Sequence, residues 1–234
     1  MINNDSLRII LQNRDGGPVY AETNLDRFIV EPWNTITALL FLIVAIFWFL
    51  KIRKEIKSHR FLFAMNILLT IGGIGGSIYH AFRMSRVFIL MDWMPIMFIM
   101  FALSFYFFIR STGKWWPPII LFLGVMTING LSFSYFKRNM ANMNLAISIS
   151  YTLMGIAAIV PLIFNLIKTK MYKAGYFFIT LISLLIAIIS RSMDEYINIS
   201  IGTHFLWHIF GAVGTFFIFY YLYFNQLYYL KLKK

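Results

Sequence analysis

Seven apolar runs, each of about the length that crosses a hydrocarbon layer, follow one another along the chain and are parted only by short polar connections. They cover roughly residues 33–50, 61–82, 88–109, 116–133, 145–167, 175–190 and 203–224. Few folds are open to such a chain, because a peptide group in lipid must find its hydrogen bond inside its own helix or within a closed barrel. Runs this long are not barrel strands. The expected fold is an all-α membrane protein, a seven-transmembrane helical bundle spanning 33–226, with an N-terminal segment over 1–32 and a basic tail over 227–234. The short connections leave no room for a second domain. With 60% hydrophobic and 13% charged residues in 234, no water-soluble core needs this much apolar surface.

The formal charge of +12 does not point to nucleic acid, since the basic residues lie between the apolar runs and build no basic aromatic platform. They act as topology signals instead. One side of the bundle receives Lys51, Arg53, Lys54, Lys57, Arg60, Arg110, Lys114, Lys168, Lys170, Lys173, Lys231, Lys233 and Lys234, and the other Arg8, Arg14, Arg27, Arg83, Arg86, Lys137, Arg138 and Arg191. The richer side is expected in the cytoplasm, which puts the N-terminus outside or in a lumen and the C-terminus in the cytoplasm. The membrane is expected to be the cell (inner) membrane if the chain is bacterial and that of the endoplasmic reticulum or Golgi if it is eukaryotic. The first thirty residues, polar and mixed in charge, are not expected to serve as a cleaved leader. No clear internal repeat speaks for an inverted-repeat transporter. Without cysteine there are no disulfides, thiolate ligands or cysteine nucleophile.

Two of the four histidines, His204 and His208, stand four residues apart at the start of the seventh run, on one helical face. In a soluble helix such a pair most often packs in a core or interface. Inside a membrane an ionisable side chain is functional by default and faces the protein interior. Two imidazoles one turn apart can chelate a cation, and zinc is the usual one. The parity of the spans supplies the third ligand: the second run ends at His80, the third begins with Asp92, and the seventh begins at His204, so all lie at one end of the bundle. His59, in the basic loop at the other end, is expected to be a solvated surface residue.

Three imidazoles with a carboxylate nearby suit a catalytic zinc, with three nitrogen ligands and an open position for water whose pKa the metal lowers. Asp92 could then take the proton from that water and pass it to a leaving amine. Ser77, one turn before His80, could donate to a developing oxyanion. In the competing arrangement Asp92 is a fourth ligand of a closed structural site, or orients a histidine from outside the ligand shell.

The combination of Glu31-Pro32-Trp33-Asn34-Thr35 opening the first span, Gly76-Ser77 with His80 closing the second, Asp92 with Pro95 in the third and His204-Phe205-Leu206-Trp207-His208 in the seventh resembles the alkaline ceramidase family. More broadly it is similar to the membrane hydrolases that include the progestin and adipoQ receptors and haemolysin III-like proteins. The resemblance runs through all seven spans in order. It implies that His80, His204 and His208 bind zinc, that Asp92 assists the attacking water, that Ser77 stabilises the oxyanion, and that the reaction splits a ceramide amide into a sphingoid base and a fatty acid. Trp33-Asn34 and Trp207 favour ceramidase-like over receptor-like members. One departure is that Gly76 stands four residues before His80, where the family places its serine, and Ser77 three before.

In the N-terminal segment Glu22-Thr23-Asn24-Leu25-Asp26, followed by Glu31, alternates oxygen-bearing side chains in a manner that suits calcium, though not as an EF-hand. The resemblance implies a calcium site matching Glu22, Asn24 and Glu31, while Val19 and Tyr20 stand where an acidic ligand is expected upstream. The alternative is a helix cap and a solvated loop. Three further positions are candidates for contact with substrate or with the ligand residues. Asp194 resembles an acidic position of the family or pairs with Arg191. Tyr151, in the fifth span, bonds substrate or Asp92 or simply packs. Trp207 sits between the two histidines of the last span. Gly72 and Gly76 form a small-xxx-small pair that allows close helix packing.

A site among helices near one leaflet is reached sideways from the bilayer, so the expected partner is a membrane lipid with its scissile amide near the headgroup. The leading expectation is a zinc-dependent amidase acting on ceramide or a similar N-acyl lipid. A receptor or regulatory protein with a structural zinc is the second, and a transporter with a histidine–carboxylate proton relay the third.

Overall fold

The computed structural model describes residues 6, 9–11, 14–138, 143–197 and 199–232. Arg8, Lys233 and Lys234, counted above among the orienting charges, lie outside them. Among the described residues there is no strand, and seven helices are long and apolar enough to cross a membrane. They are α1 (Pro32–Ile52), α2 (Arg60–Phe82), α3 (Arg86–Thr112), α4 (Trp116–Arg138), α5 (Met143–Lys168), α6 (Ala174–Met193) and α7 (His204–Lys231). Most overrun the apolar runs by a few residues, because a helix continues past the hydrocarbon boundary while its outer turns can meet water or headgroups.

Two compact units divide the chain, Met1–Ile96 with Tyr176–Lys234 and Met97–Gly175. The first holds α1, α2, the opening of α3, nearly all of α6, and α7. Its side chains are sorted inside out relative to a soluble protein. On α1 the aliphatic residues Ile36, Leu39, Ile43, Ile46 and Leu50 are exposed, while Asn34, Thr37, Ala38, Phe41, Ala45 and Trp48 are buried. With lipid as apolar as leucine, there is no gain in hiding the aliphatic stripe, and packing selects small and hydrogen-bonding groups for the interior. Asn66 of α2 donates to the Ala45 carbonyl at 3.0 Å, and Thr180 of α6 reaches the Gly214 carbonyl of α7 at 3.3 Å.

α2 and α3 approach closely where small residues let them. A Cβ on Gly75 would collide with the Met91 backbone and one on Gly76 with the Asp92 carboxylate, so glycine at these two positions lets the start of α3 lie against the end of α2. The close packing expected of the Gly72 and Gly76 pair is present, and Gly75 takes part in it.

His59 departs from expectation. It is fully buried rather than solvated, its Nδ1 lies 2.9 Å from Gln226 Oε1, and its ring stacks on Tyr223 at 4.4 Å. It stands directly before α2, and Tyr223 and Gln226 of α7 cover it there, so a position inside a charged loop is nonetheless buried.

In the second unit Ser104 of α3 donates to the Ala157 carbonyl of α5 at 2.9 Å, and Phe101 meets Phe122 of α4 edge to face. Lys168 closes the end of α3 by donating to the carbonyls of Arg110 and Ser111. Tyr151 is buried within α5 of this unit.

Candidate metal centre

The local backbone brings the histidines together. α2 ends at Arg83, whose left-handed conformation (φ 50°, ψ 34°) stops the helix one turn after His80. That conformation costs a residue with a side chain on the order of 1 kcal/mol relative to glycine. Val30 and Glu31 donate their backbone N–H groups to the carbonyls of Ala81 and His80, at 2.9 and 3.2 Å, so the segment leading into α1 caps the end of α2. At the start of α7, Asp194 Oδ1 accepts from the N–H groups of Thr203 and His204 at 2.6 and 2.8 Å, while its Oδ2 accepts from Ala21. Asp194 is therefore a helix cap that fixes the first turn of α7.

His80, His204 and His208 are all buried, and one ring nitrogen from each lies within 4.8 Å of the other two. Ring centres are 4.8 Å apart for His80 and His208, 4.9 Å for His204 and His208, and 5.4 Å for His80 and His204. A tetrahedral zinc about 2.0–2.1 Å from each nitrogen sets them about 3.4 Å apart, so the side chains need only a modest closure. All three Nε2 atoms are buried and have no hydrogen-bond partner in the protein. Each such orphan costs about 1–3 kcal/mol, and three of them on neighbouring rings mark a site for a ligand rather than a packing accident.

The opposite nitrogens set the tautomers. His80 Nδ1 lies 2.5 Å from Glu31 Oε2, and His208 Nδ1 donates to the Asn34 carbonyl at 3.0 Å and to Thr37 Oγ1 at 3.1 Å. A proton held on Nδ1 leaves the Nε2 lone pair free, as metal-ligating histidines require. His204 differs: its Nδ1 faces the Arg191 guanidinium at 3.4 Å, at the far end of hydrogen-bond range. Ligation through Nε2 would put a proton on Nδ1 and turn that contact repulsive, so Arg191 would have to point elsewhere with an ion bound. The residues fit zinc through His80, His204 and His208.

Asp92 is half-buried in the second turn of α3, its Oδ1 against Gly76. It is not in the group of mutually close ligand atoms, and Gly76, which it lies against, stands one turn before His80. Ser77 is buried and its hydroxyl donates to the Gly73 carbonyl at 2.7 Å, so an oxyanion contact requires it to leave that bond. Trp207 is buried with the Arg191 guanidinium 5.6 Å from its ring.

The residues expected to hold calcium have other partners. Glu22 accepts from the N–H groups of Trp33 and Asn34, at 2.5 and 3.0 Å, and so caps α1 from ten residues before it starts. Asn24 Oδ1 accepts from the Asp26 N–H. Glu31 Oε1 accepts from Arg83 and Thr23, both at 2.6 Å, and its Oε2 serves His80 and Asn34. The positive charge facing Glu31 is thus a guanidinium. Burial alone would push the Glu31 carboxyl up, but Arg83 and the His80 hydrogen bond outweigh it and hold it down at about 2.

Asp15 and Thr37 are absent from the expectations above, and Arg83, Tyr20 and Asn34 appear there in other roles, not as partners of the histidines. Tyr20 stacks on His204 at 3.7 Å and lies 5.6 Å from the His80 ring, so the N-terminal segment closes over two of the three imidazoles. Burial pushes its phenol up to about 12, which keeps it neutral there. In comparisons with known proteins the chain matches no family model and no curated protein. Its described residues make a multi-pass membrane protein of seven apolar helices, with a buried three-histidine cluster compatible with a metal ion.

Proposed function

We propose that this chain is a zinc-dependent amidase of the membrane, ceramidase-like, that hydrolyses the amide of ceramide or a similar N-acyl lipid. The observation that carries the reading is the convergence of three buried imidazoles, each with an orphaned Nε2, with the Asp92 carboxylate against Gly76, one turn before His80. A zinc ion there supplies a Lewis acid and a source of hydroxide near neutral pH. Asp92 takes a proton from the attacking water as its oxygen bonds to the amide carbon, and delivers a proton to the nitrogen as the C–N bond breaks. The products are a fatty acid and a sphingoid base. Ser77 turns from Gly73 toward the carbonyl oxygen as negative charge develops on it. Glu31 and the Asn34 carbonyl keep His80 and His208 in the ligating tautomer throughout.

The motifs quoted above and the distribution of Lys and Arg support the rest of this reading, with the histidine end facing away from the cytoplasm. A lipid fits better than a soluble peptide because Tyr20 covers the rings from the N-terminal segment, leaving approach through the bilayer. That same cover favours a second reading, a receptor or regulatory protein whose zinc is structural. Incubating the purified, zinc-loaded protein with labelled N-acyl sphingosine separates the two. Fatty acid release that a chelator abolishes is the expected result; none, with zinc fully bound, supports the structural site.

A further inference from the structure

We infer that Arg83 is the positioning residue of the metal centre: clamped between Asp15 and Glu31, its guanidinium fixes the carboxylate that holds His80, and thereby sets how tightly the histidines bind a divalent ion. This rests on reading the three histidines as a metal site, and not on the hydrolysis.

Arg83, Asp15 and Glu31 are all buried and their donors and acceptors interlock. Nε and Nη2 of Arg83 donate to the two oxygens of Asp15 at 2.7 and 3.2 Å, and Nη1 donates to Glu31 Oε1 at 2.6 Å. The Glu31 carboxylate is rigid, so anchoring Oε1 determines where Oε2 meets His80 Nδ1. A planar fork serves two carboxylates at once in a way that an ammonium does not. Below the guanidinium lies the Tyr79 ring, its centre 4.7 Å from Cζ. The left-handed backbone of Arg83 points the same way: glycine suits that conformation better, so what holds an arginine there is its side chain.

Charge completes the argument. Two carboxylates and one guanidinium leave a single net negative charge behind His80, which favours a dication in front of it. Without Arg83 the two buried carboxylates have no guanidinium between them, and Oε1 of Glu31 loses the anchor that aims Oε2 at His80. Asp15 also lies on the segment that carries Tyr20 over His204, so one side chain steadies both edges of the cluster.

The test is zinc affinity of the purified full chain, measured by competition with a chelator, with the absorption spectrum of the cobalt-loaded protein as a second readout and helicity and melting temperature as controls. Arg83→Met and Arg83→Gly should each weaken zinc binding by about 10–100-fold, the range for partners that orient a ligand, and Arg83→Lys should fall between them and the wild type. The glycine variant separates the side chain from the backbone, since it relieves the left-handed residue yet should lose as much affinity as the methionine. The cobalt bands should shift in intensity or position as His80 reorients. Folded Arg83→Met or Arg83→Gly protein that binds zinc within about twofold of wild type overturns the inference and leaves Arg83 a structural clamp. If both single variants aggregate, the charge-balanced Asp15→Asn/Arg83→Met pair and Arg83→Lys decide it by the same criterion. Wild type that binds no zinc removes the metal reading itself, a result distinct from wild type and Arg83 variants binding alike.

Discussion

Two ends of the first unit each bury histidine, about 30 Å apart along α2 at 1.5 Å per residue, and only one of them has the makings of a site. His59 at one end and His80, His204 and His208 at the other are fully buried or nearly so. All four have a polar neighbour at Nδ1 and an Nε2 without a hydrogen-bond partner. Burial and an orphaned nitrogen therefore do not distinguish them. The difference is convergence and backing. Three imidazoles meet at one end, each offering a ring nitrogen within 4.8 Å of the other two, whereas the His59 ring lies against a Tyr223 face with the exposed Glu55 carboxylate 3.7 Å away and joins no such group among the described residues. Behind His80 is a buried carboxylate; behind His59 is the neutral amide of Gln226. A ligand group needs several donors aimed at one point and an outer partner that favours the metal-bound form, and a lone packed histidine has neither.

The largest expected effect follows directly. His204→Ala or His208→Ala should lose stoichiometric metal and lipid hydrolysis together, while His59→Ala retains both; equal metal content in all of them would erase the contrast. Next in size, Asp92→Asn should keep its metal and lose turnover by about 10²–10⁴-fold, the worth of a positioned general base. Hydrolysis at the wild-type rate in that variant would remove Asp92 from the chemistry. Gly76→Ala places a methyl against the Asp92 carboxylate and should lower turnover by up to about 10²-fold with metal content intact, measured by fatty acid release and metal analysis. Asp194→Ala removes the cap from α7 and should cost about 1 kcal/mol, seen as a lower melting temperature and a modest loss of zinc affinity. The smallest effect on the metal is expected at the opposite end: His59→Ala gives up one hydrogen bond worth about 1 kcal/mol, lowering the melting temperature with zinc affinity unchanged.

The histidine trio was legible because it depends on counting. Seven spans, a four-residue spacing and the parity of helix directions bring His80, His204 and His208 to one end without knowledge of any tertiary contact, and Asp92 follows from the same count. The supporting partners depend on pairings that counting does not reach. Glu31 finds His80 from 49 residues away and Arg83 from 52, and His59 finds Gln226 from 167. Arg83 passed as one topology charge among many, and His59, amid basic residues, looked solvated. Glu22 reads equally as an oxygen ligand or a cap until Trp33 and Asn34 are seen to donate to it. One signal lies in the charges: in a chain with only nine acidic residues, Asp15, Glu22 and Glu31 precede the first span and Asp92 and Asp194 stand near span ends of the same parity. Scarce carboxylates gathered at one end of a basic membrane protein mark where its charge chemistry lies.

Metal content of the purified full chain tests the central claim most directly, measured by elemental analysis beside the variant in which His80, His204 and His208 are all alanine. One zinc per chain in the wild type and none in the triple variant is the expected result. A wild type without bound metal, or a triple variant that keeps its zinc, would contradict it.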